Sequence, residues 1–405
     1  MVKIMSILTL KERDRRWKVI RDMMKKHNLE CLILPGVAPG AMIDYAGYVS
    51  NATGAVIFPD EGEPTCFYGG YNSSMRLRER LRVGEEMWIR DWRDGADLGS
   101  AIASRVKDLG CGEGKVGVTG LEGGVHGVGN VFEGLVPYKT WVNVLKDLPK
   151  AKFEDVSDRM VEILQVRTPE ELKLVERAAE IGEHAMEVML SITKPGVTDR
   201  EIRDKTNDAI YFIHGAPRPT AGIIEGCSRG GVKDGDVVNT EWFVTVGGLQ
   251  AVLQMCMAVG KVSKKIERDA EIAEASQKKG LEVLKPGVKF GAVIAAMEKV
   301  VAEAGAWHWY PLLVSRNPQI LRGGEGTWPR GTKWEIPAPE VGHPSLAVLG
   351  PEVIVKSGMT FSFEPSASTG DFALPFSYVK VGGQAIVTDT GVRMLNTLGT
   401  KLQRV

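Results

Sequence analysis

Cysteine is scarce in this 405-residue chain, and the five present (Cys31, Cys66, Cys111, Cys227 and Cys256) are scattered, odd in number and never spaced as CxxC. That excludes a disulfide framework and a structural zinc ribbon, and it predicts reduced thiols in a cytoplasmic protein. An excess of either charge is also lacking, since 51 Lys and Arg balance 51 Asp and Glu. No electrostatic footprint for nucleic acid or an anionic membrane follows, and neither partner is expected. Long apolar runs are missing too. The patch Ile4–Leu10 gives way at once to Lys11-Glu12-Arg13-Asp14-Arg15-Arg16, too short for a signal peptide, and no stretch suits a bilayer span. What remains, 43% hydrophobic and 25% charged residues, is the composition of a soluble globular enzyme. A chain of this length is expected to form two domains.

Apolar residues recur at helical spacing through Arg15–His27, and short apolar runs at Leu29–Leu34, Ala55–Phe58 and Pro64–Tyr68 read as strands. Leu98–Leu109 reads as a helix and Lys115–Val118 as a strand, so residues 1–155 are expected to form an α/β domain. Gly112–Gly117 matches GxGxxG, but a helix precedes it and a strand follows. That order is the reverse of a dinucleotide site, where backbone N–H groups at a helix start face the pyrophosphate.

A long helix is predicted over Thr168–Thr193, opened by Pro169-Glu170-Glu171. Lys194-Pro195-Gly196-Val197 follows, then Thr198–Glu201 as a capping box. The same phrase returns at Lys285-Pro286-Gly287-Val288, again between helical patterns. Helix–KPGV–helix twice implies an internally duplicated domain over residues 156–405, with its site between the halves. Between the repeats lies KDGDVVNTEWFVTVGGLQAVLQMCMAVG (Lys233–Gly260). Gly247-Gly248 is a favoured centre for a tight hairpin. A two-residue turn sets Glu241 opposite Gln254 and Phe243 opposite Val252, with Glu241, Gln254 and Val252 on one face. A carboxylate in an apolar strand pair needs a partner or a task; the alternative is a solvated strand face. Cys256 is given no part in the site.

These phrases resemble the creatinase/aminopeptidase P/prolidase family, the M24-type pita-bread proteins, over nearly the whole chain. Arg16–Leu34, Asp44–Tyr48 and Ala55–Cys66 are similar to the family's N-terminal domain. Arg167–Met186, Ile192–Ile202, Asp234–Glu241, Val283–Val293 and Ser357–Pro365 are similar to its catalytic domain. The resemblance implies an α+β pita-bread domain with an internal pseudo-twofold, preceded by an α/β domain, in a homodimer.

Peptidases of this family hold two divalent metals with two Asp, one His and two Glu, because hard cations need clustered oxygens. On that pattern the first Asp position is Glu241, the second is Val252, and the penultimate Glu is Glu364. The last Glu falls near Gly382, and the GHGxG histidine has no clear counterpart. His343 better matches the substrate-side histidine. No metal and no cofactor are therefore expected. Metal-free creatinase is the nearest parallel in character. Its hairpin Glu position is Gln254 here, while its acid/base histidine aligns near Ile224.

The catalytic candidates are Glu241, Glu364, His343 and Gln254. Two close carboxylates should raise one pKa, giving a base and an acid near neutrality, and Gln254 would orient water or a carbonyl. His343, between glycine and proline, reads equally as a loop histidine. On the substrate side stand His214, Arg218, Tyr48, Trp307 and Trp309, with Arg218 and Arg229 as carboxylate grips or solvated surface. Residues about 307–340 carry Trp307, Trp309, Trp328 and Trp334, read as a lid for an aromatic or cationic substrate or as a dimer-contact loop. The favoured function is metal-independent C–N hydrolysis of a small molecule by carboxylate acid/base catalysis. The alternatives are a lyase related to dimethylsulfoniopropionate lyase, an Xaa-Pro peptidase-like protein with a degraded metal site, and a non-catalytic binding protein.

Overall fold

In the computed structural model Gly247 and Gly248 both take positive φ, 57° and 80°, a backbone that side chains disfavour and glycine adopts freely. The turn they make joins β8 (Val237–Val246) to β9 (Leu249–Ala258). The register places Glu241 opposite Gln254 and Phe243 opposite Val252, as the two-residue turn demands. The structure describes residues 8–36, 44–52, 54–68, 87–121, 136–213, 222–228, 230–309, 311–323, 350–370 and 378–405. The chain divides into two compact units, Met1–Leu164 and Gln165–Val405.

The first unit is built on a six-stranded mixed sheet. Helix α1 (Leu10–Lys26) is followed by β1 (Cys31–Leu34), a short α2 (Tyr45–Ser50), β2 (Ala55–Pro59), β3 (Thr65–Tyr68) and β4 (Asp91–Asp94). Then come α3 (Leu98–Asp108), β5 (Lys115–Val118), α4 (Tyr138–Asp147), β6 (Lys152–Asp155) and α5 (Ser157–Leu164). Gly112–Gly117 is a helix-to-strand loop running into β5. The helix α2 inside the apolar opening was not expected. Asp44 caps it by accepting the Gly47 N–H at 2.7 Å.

The second unit opens with α6 (Pro169–Ile192), capped by Thr168 through a complete capping box with Glu171. After the turn at Gly196, α7 (Asp199–Asp208) starts with a second capping box, Thr198 with Glu201. A π-helical turn (Ala209–Ile213) and β7 (Gly222–Glu225) precede the hairpin. The second half repeats the plan with α8 (Lys264–Val283), a turn at Gly287, α9 (Phe290–Glu303) and β10 (Leu313–Arg316). Gly196 and Gly287 share φ values of 91° and 89°, so the two KPGV turns have the same backbone as well as the same letters. The chain ends through β11 (Arg322–Gly323), β12 (Thr360–Phe363), β13 (Ser366–Ala367), β14 (Val379–Lys380), β15 (Gly383–Val387), β16 (Val392–Met394) and β17 (Gln403–Arg404).

Two larger sheets result, ordered β17-β9-β8-β7 and β11-β10-β12-β15-β16, with β13 and β14 forming a two-stranded third. One face of the first sheet, with Trp242, Leu253 and Met255, packs on Ala178, Ala185 and Met189 of α6. Successive strand residues face opposite ways, so Asn239, Glu241, Gln254 and Cys256 lie on the other face. There Cys256 joins Val237, Ala273 and Val379 in a separate apolar cluster, and burial pushes its thiol up to about 12. That face meets the second sheet. The Val252 N–H donates to Gln384 Oε1 at 3.0 Å, and Asn317 exchanges bonds of 2.8 and 2.9 Å with the Gln250 backbone.

The start of α6 is pinned to the same junction. Glu171 is fully buried and accepts from Arg167 Nη1 at 2.6 Å, while Arg167 Nε donates to the Asn317 carbonyl at 2.6 Å. Removing one partner of such a pair strands the other charge in a low dielectric. Glu171→Ala should therefore destabilise the protein by about 3–5 kcal/mol, checked as a lower midpoint in urea unfolding at neutral pH.

Candidate active site

Glu241 and Glu364 meet at the buried junction of two sheets, and the structure gives each a cation. Lys380 Nζ lies 2.8 Å from Glu241 Oε2. Arg316 Nη2 lies 2.6 Å from Glu364 Oε1 and 3.9 Å from Glu241 Oε1, so one guanidinium spans both acids. All four residues are buried, with exposures of 3–6%. Ionised groups so deep in protein persist only when paired and hydrogen-bonded.

Local structure aims each group. Arg316 ends the apolar strand β10, directly after Leu313-Val314-Ser315. Its Nε donates to Ser362 Oγ at 2.9 Å, its Nη1 to Gln319 Oε1 at 2.7 Å, and its guanidinium stands over the Phe243 ring. Ser362 Oγ in turn donates to Glu364 Oε1 at 2.6 Å. Lys380 is set by its backbone, whose N–H donates to Asn239 Oδ1 at 3.1 Å while Asn239 Nδ2 donates to the Tyr378 carbonyl at 2.9 Å. Arg322 completes the wall. It pairs with Val314 across β10 and β11, hence on the Arg316 face of that sheet.

Burial by itself would raise the Glu364 pKa. The charges of Arg316 and Lys380 and the hydrogen bonds from Ser362 and Arg316 outweigh it and hold the carboxyl below its usual range. One of the two close acids was expected to rise toward neutrality, with neither singled out; Glu364 is not that acid, because Arg316 and Lys380 stand beside it. Burial pushes the Arg322 guanidinium down, and Arg316 adds to that while Glu364 and Glu241 oppose it.

Gln254 lies where the hairpin places it, opposite Glu241 and fully buried, and neither Nε2 nor Oε1 has a hydrogen-bond partner among the described residues. Val252 offers no donor atom. Gly382 has φ 137°, and a Cβ there would lie 2.0 Å from the Phe363 carbonyl oxygen, so a Glu at this position clashes with the backbone. Among the described residues no group of three or more His, Cys, Asp or Glu could hold a metal ion. A dinuclear pair does not fit these side chains, since the two carboxylates already face internal cations.

Trp307 is buried, and its Nε1 donates to the Gly370 carbonyl at 2.7 Å. Its backbone is tied by a bridge to Ser368. Trp309 is half-buried, its N–H on Ser366 Oγ at 3.0 Å. Tyr48 belongs to the first unit, its ring 4.1 Å beneath the Arg16 guanidinium and its hydroxyl accepting from Arg15 at 3.1 Å. His214, Arg218, Arg229, Trp328, Trp334 and His343 lie outside the described residues. Arg316, Lys380, Ser362 and Arg322 were missed in the sequence. The available signal was a lone cation closing or interrupting an apolar strand, as in Leu312-Leu313-Val314-Ser315-Arg316 and Val379-Lys380-Val381.

Metallopeptidase family M24 matches residues 173–398, and the chain belongs to that family of hydrolases acting on C–N bonds. Among its relatives, the methionine aminopeptidase of Escherichia coli is 27% identical over 224 residues, 51% of this chain and 79% of that protein. The Xaa-Pro dipeptidase of Pyrococcus furiosus is 21% identical over 288 residues, 67% of this chain and 74% of that protein. The fold is that of the prolidase from Pyrococcus horikoshii, with a TM-score of 0.70 at 18% identity over 96% of this chain and 99% of that one. The Xaa-Pro dipeptidase from Bacillus anthracis gives 0.74 at 16% identity over 97% and 100%. Pita-bread architecture preceded by an N-terminal domain is thus established. No helix among the described residues is long and apolar enough to cross a membrane.

Because the folded-state pKa of Glu364 is depressed, its ionised form stabilises the fold above the ordinary carboxylate range, near 4.5. That contribution is lost as pH falls through the lowered value. Wild-type protein should lose stability on acidification from pH 7 toward pH 3, and Glu364→Gln, weaker at neutral pH, should show a flatter profile in thermal melts.

Proposed function

We propose that this protein is an Xaa-Pro peptidase-like hydrolase with a degraded metal site, acting on a small peptide-like substrate without a metal pair. The observation that carries this reading is the Lys380–Glu241 and Arg316–Glu364 pairing at the positions where the family resemblance puts metal-binding carboxylates. Hydrolysis of an amide develops negative charge on the carbonyl oxygen. Arg316 and Lys380 are preorganised cations at a buried junction, where such charge is stabilised most strongly. Glu364, paired with Arg316, holds that guanidinium in place. Glu241 is the remaining carboxylate for proton transfer, with the Gln254 amide beside it to orient water or the carbonyl. Wholly metal-independent creatinase-like chemistry is the same reading with a non-peptide substrate. The expected homodimer belongs to this proposal and is checked by light scattering.

A second reading, a binding protein without turnover, is favoured by the full pairing of both acids. The two separate in one experiment. Purified protein is analysed for bound metal, treated with a chelator and assayed on Xaa-Pro dipeptides. The hydrolase reading expects hydrolysis that survives chelation and falls about 10²–10³-fold in Lys380→Ala. Hydrolysis abolished by chelation and restored by manganese or zinc would overturn it. Binding of the dipeptides with no hydrolysis in either state selects the second reading.

A further inference from the structure

Two of the five cysteines share one buried cluster in the first unit. Cys31 opens β1 and, with Ile33, Val106, Val116 and Val144, belongs to the same apolar cluster as Cys111 in the loop after α3. The backbone brings the two together. β1 sets Cys31 opposite Val116, and the Glu30 N–H donates to the Lys115 carbonyl at 2.9 Å. The Gly114 N–H folds the loop back onto the Cys111 carbonyl at 3.2 Å, and a Cβ at Gly114 would strike the Glu30 carboxylate. Residues 111–115 therefore run against the start of β1, and the Cys31 thiol donates a hydrogen bond to Cys111. Cys66 stands on the other face of the sheet, since its neighbour Phe67 is the one in this cluster. The two thiols are unequal. Cys111 keeps 5% exposure and Cys31 none. The hydrogen bond from Cys31 holds the Cys111 thiol below its usual range against the effect of burial, and the same bond and burial push Cys31 well up. The thiolate is the nucleophilic form, and a thiolate with a second thiol beside it turns a first oxidation into a disulfide.

We propose that Cys111 and Cys31 are a redox-active dithiol, which hydrogen peroxide converts to a disulfide inside the first unit. The Cys111 thiolate attacks one peroxide oxygen. An S–O bond forms, the O–O bond breaks, and the departing hydroxide takes a proton to leave as water. The Cys31 sulfur then attacks the Cys111 sulfenic acid, the S–S bond forms as the S–O bond breaks, and the Cys31 proton leaves with the hydroxide as a second water. Two thiols lose two electrons and one peroxide gains them. A residue only 5% exposed admits the smallest oxidants, so peroxide fits and a disulfide the size of oxidised glutathione does not. The new bond ties the first residue of β1, inside the six-stranded sheet, to the loop that feeds β5. Closing the long loop from residue 31 to residue 111 removes freedom from the unfolded chain, and oxidation thereby stiffens the unit. The inference concerns the first unit alone and stands or falls without the proposed activity.

The test uses reduced, full-length protein treated with a small molar excess of hydrogen peroxide or of oxidised glutathione, then alkylated, digested and mapped by mass spectrometry. With peroxide the protein should lose two of its five free thiols and yield a peptide joining Cys31 to Cys111. Its melting midpoint should rise by at least about 4 °C, and dithiothreitol should reverse both changes. Cys31→Ala should stop at a Cys111 sulfenic acid that dimedone captures, and Cys66→Ser should form the Cys31–Cys111 link as the wild type does. The wild-type peptide map decides the matter even if a variant fails to fold. All five thiols surviving peroxide, a link through Cys66, Cys227 or Cys256 instead, or Cys111 carried to the sulfinic acid with no link would each overturn the dithiol. A midpoint that falls on cross-linking would mark the bond as damage and overturn it as well. A link formed as readily by oxidised glutathione would overturn peroxide as the oxidant.

Discussion

A salt bridge shared between two sheets governs this structure. The Arg316 guanidinium touches Glu364 on its own sheet and reaches Glu241 on the facing one, while Lys380 closes on Glu241 from a third direction. Desolvating four charges is unfavourable, and their mutual attraction offsets that only in a narrow geometry. The sheets must therefore approach at a fixed distance and register. Ser362 and Asn239 serve that geometry by holding the cations through hydrogen bonds from otherwise buried positions.

The duplicated plan explains why such a network can form at all. Each half ends in strands whose inner face looks toward the other half, so chemistry-bearing residues from positions far apart in sequence converge on the seam. The capping box at Thr168 starts α6 at one register. Glu171, inside that first turn, then carries the constraint through Arg167 and Asn317 to Gln250 on the hairpin. Helix start, strand end and hairpin edge are thus one mechanical chain, in which a local propensity sets the placement of a distant side chain.

Much of the second unit was legible because its signals are local. Gly247-Gly248 dictates the turn, the turn dictates that Glu241 faces Gln254, and two KPGV phrases dictate equivalent bends. Glu364 was legible through the family resemblance of Phe363-Glu364-Pro365. The cations were not, because no local rule tells a strand-end arginine or a lysine between two valines which charge it will meet. Their partners lie 139 and 48 residues away. The same gap left open which of the two acids would be raised, since protonation depends on neighbours and not on a motif. Trp307 was read as a substrate-side aromatic, and the structure shows it buried, with its indole N–H on the Gly370 carbonyl.

Gly382 shows how little freedom this junction has. With φ at 137° and the Phe363 carbonyl sitting where a side chain would begin, the backbone leaves no room there for any side chain. The chain that carries Lys380 toward Glu241 therefore passes into β15 along a path that suits glycine alone, so the buried ion pair and the bare backbone beside it are set together.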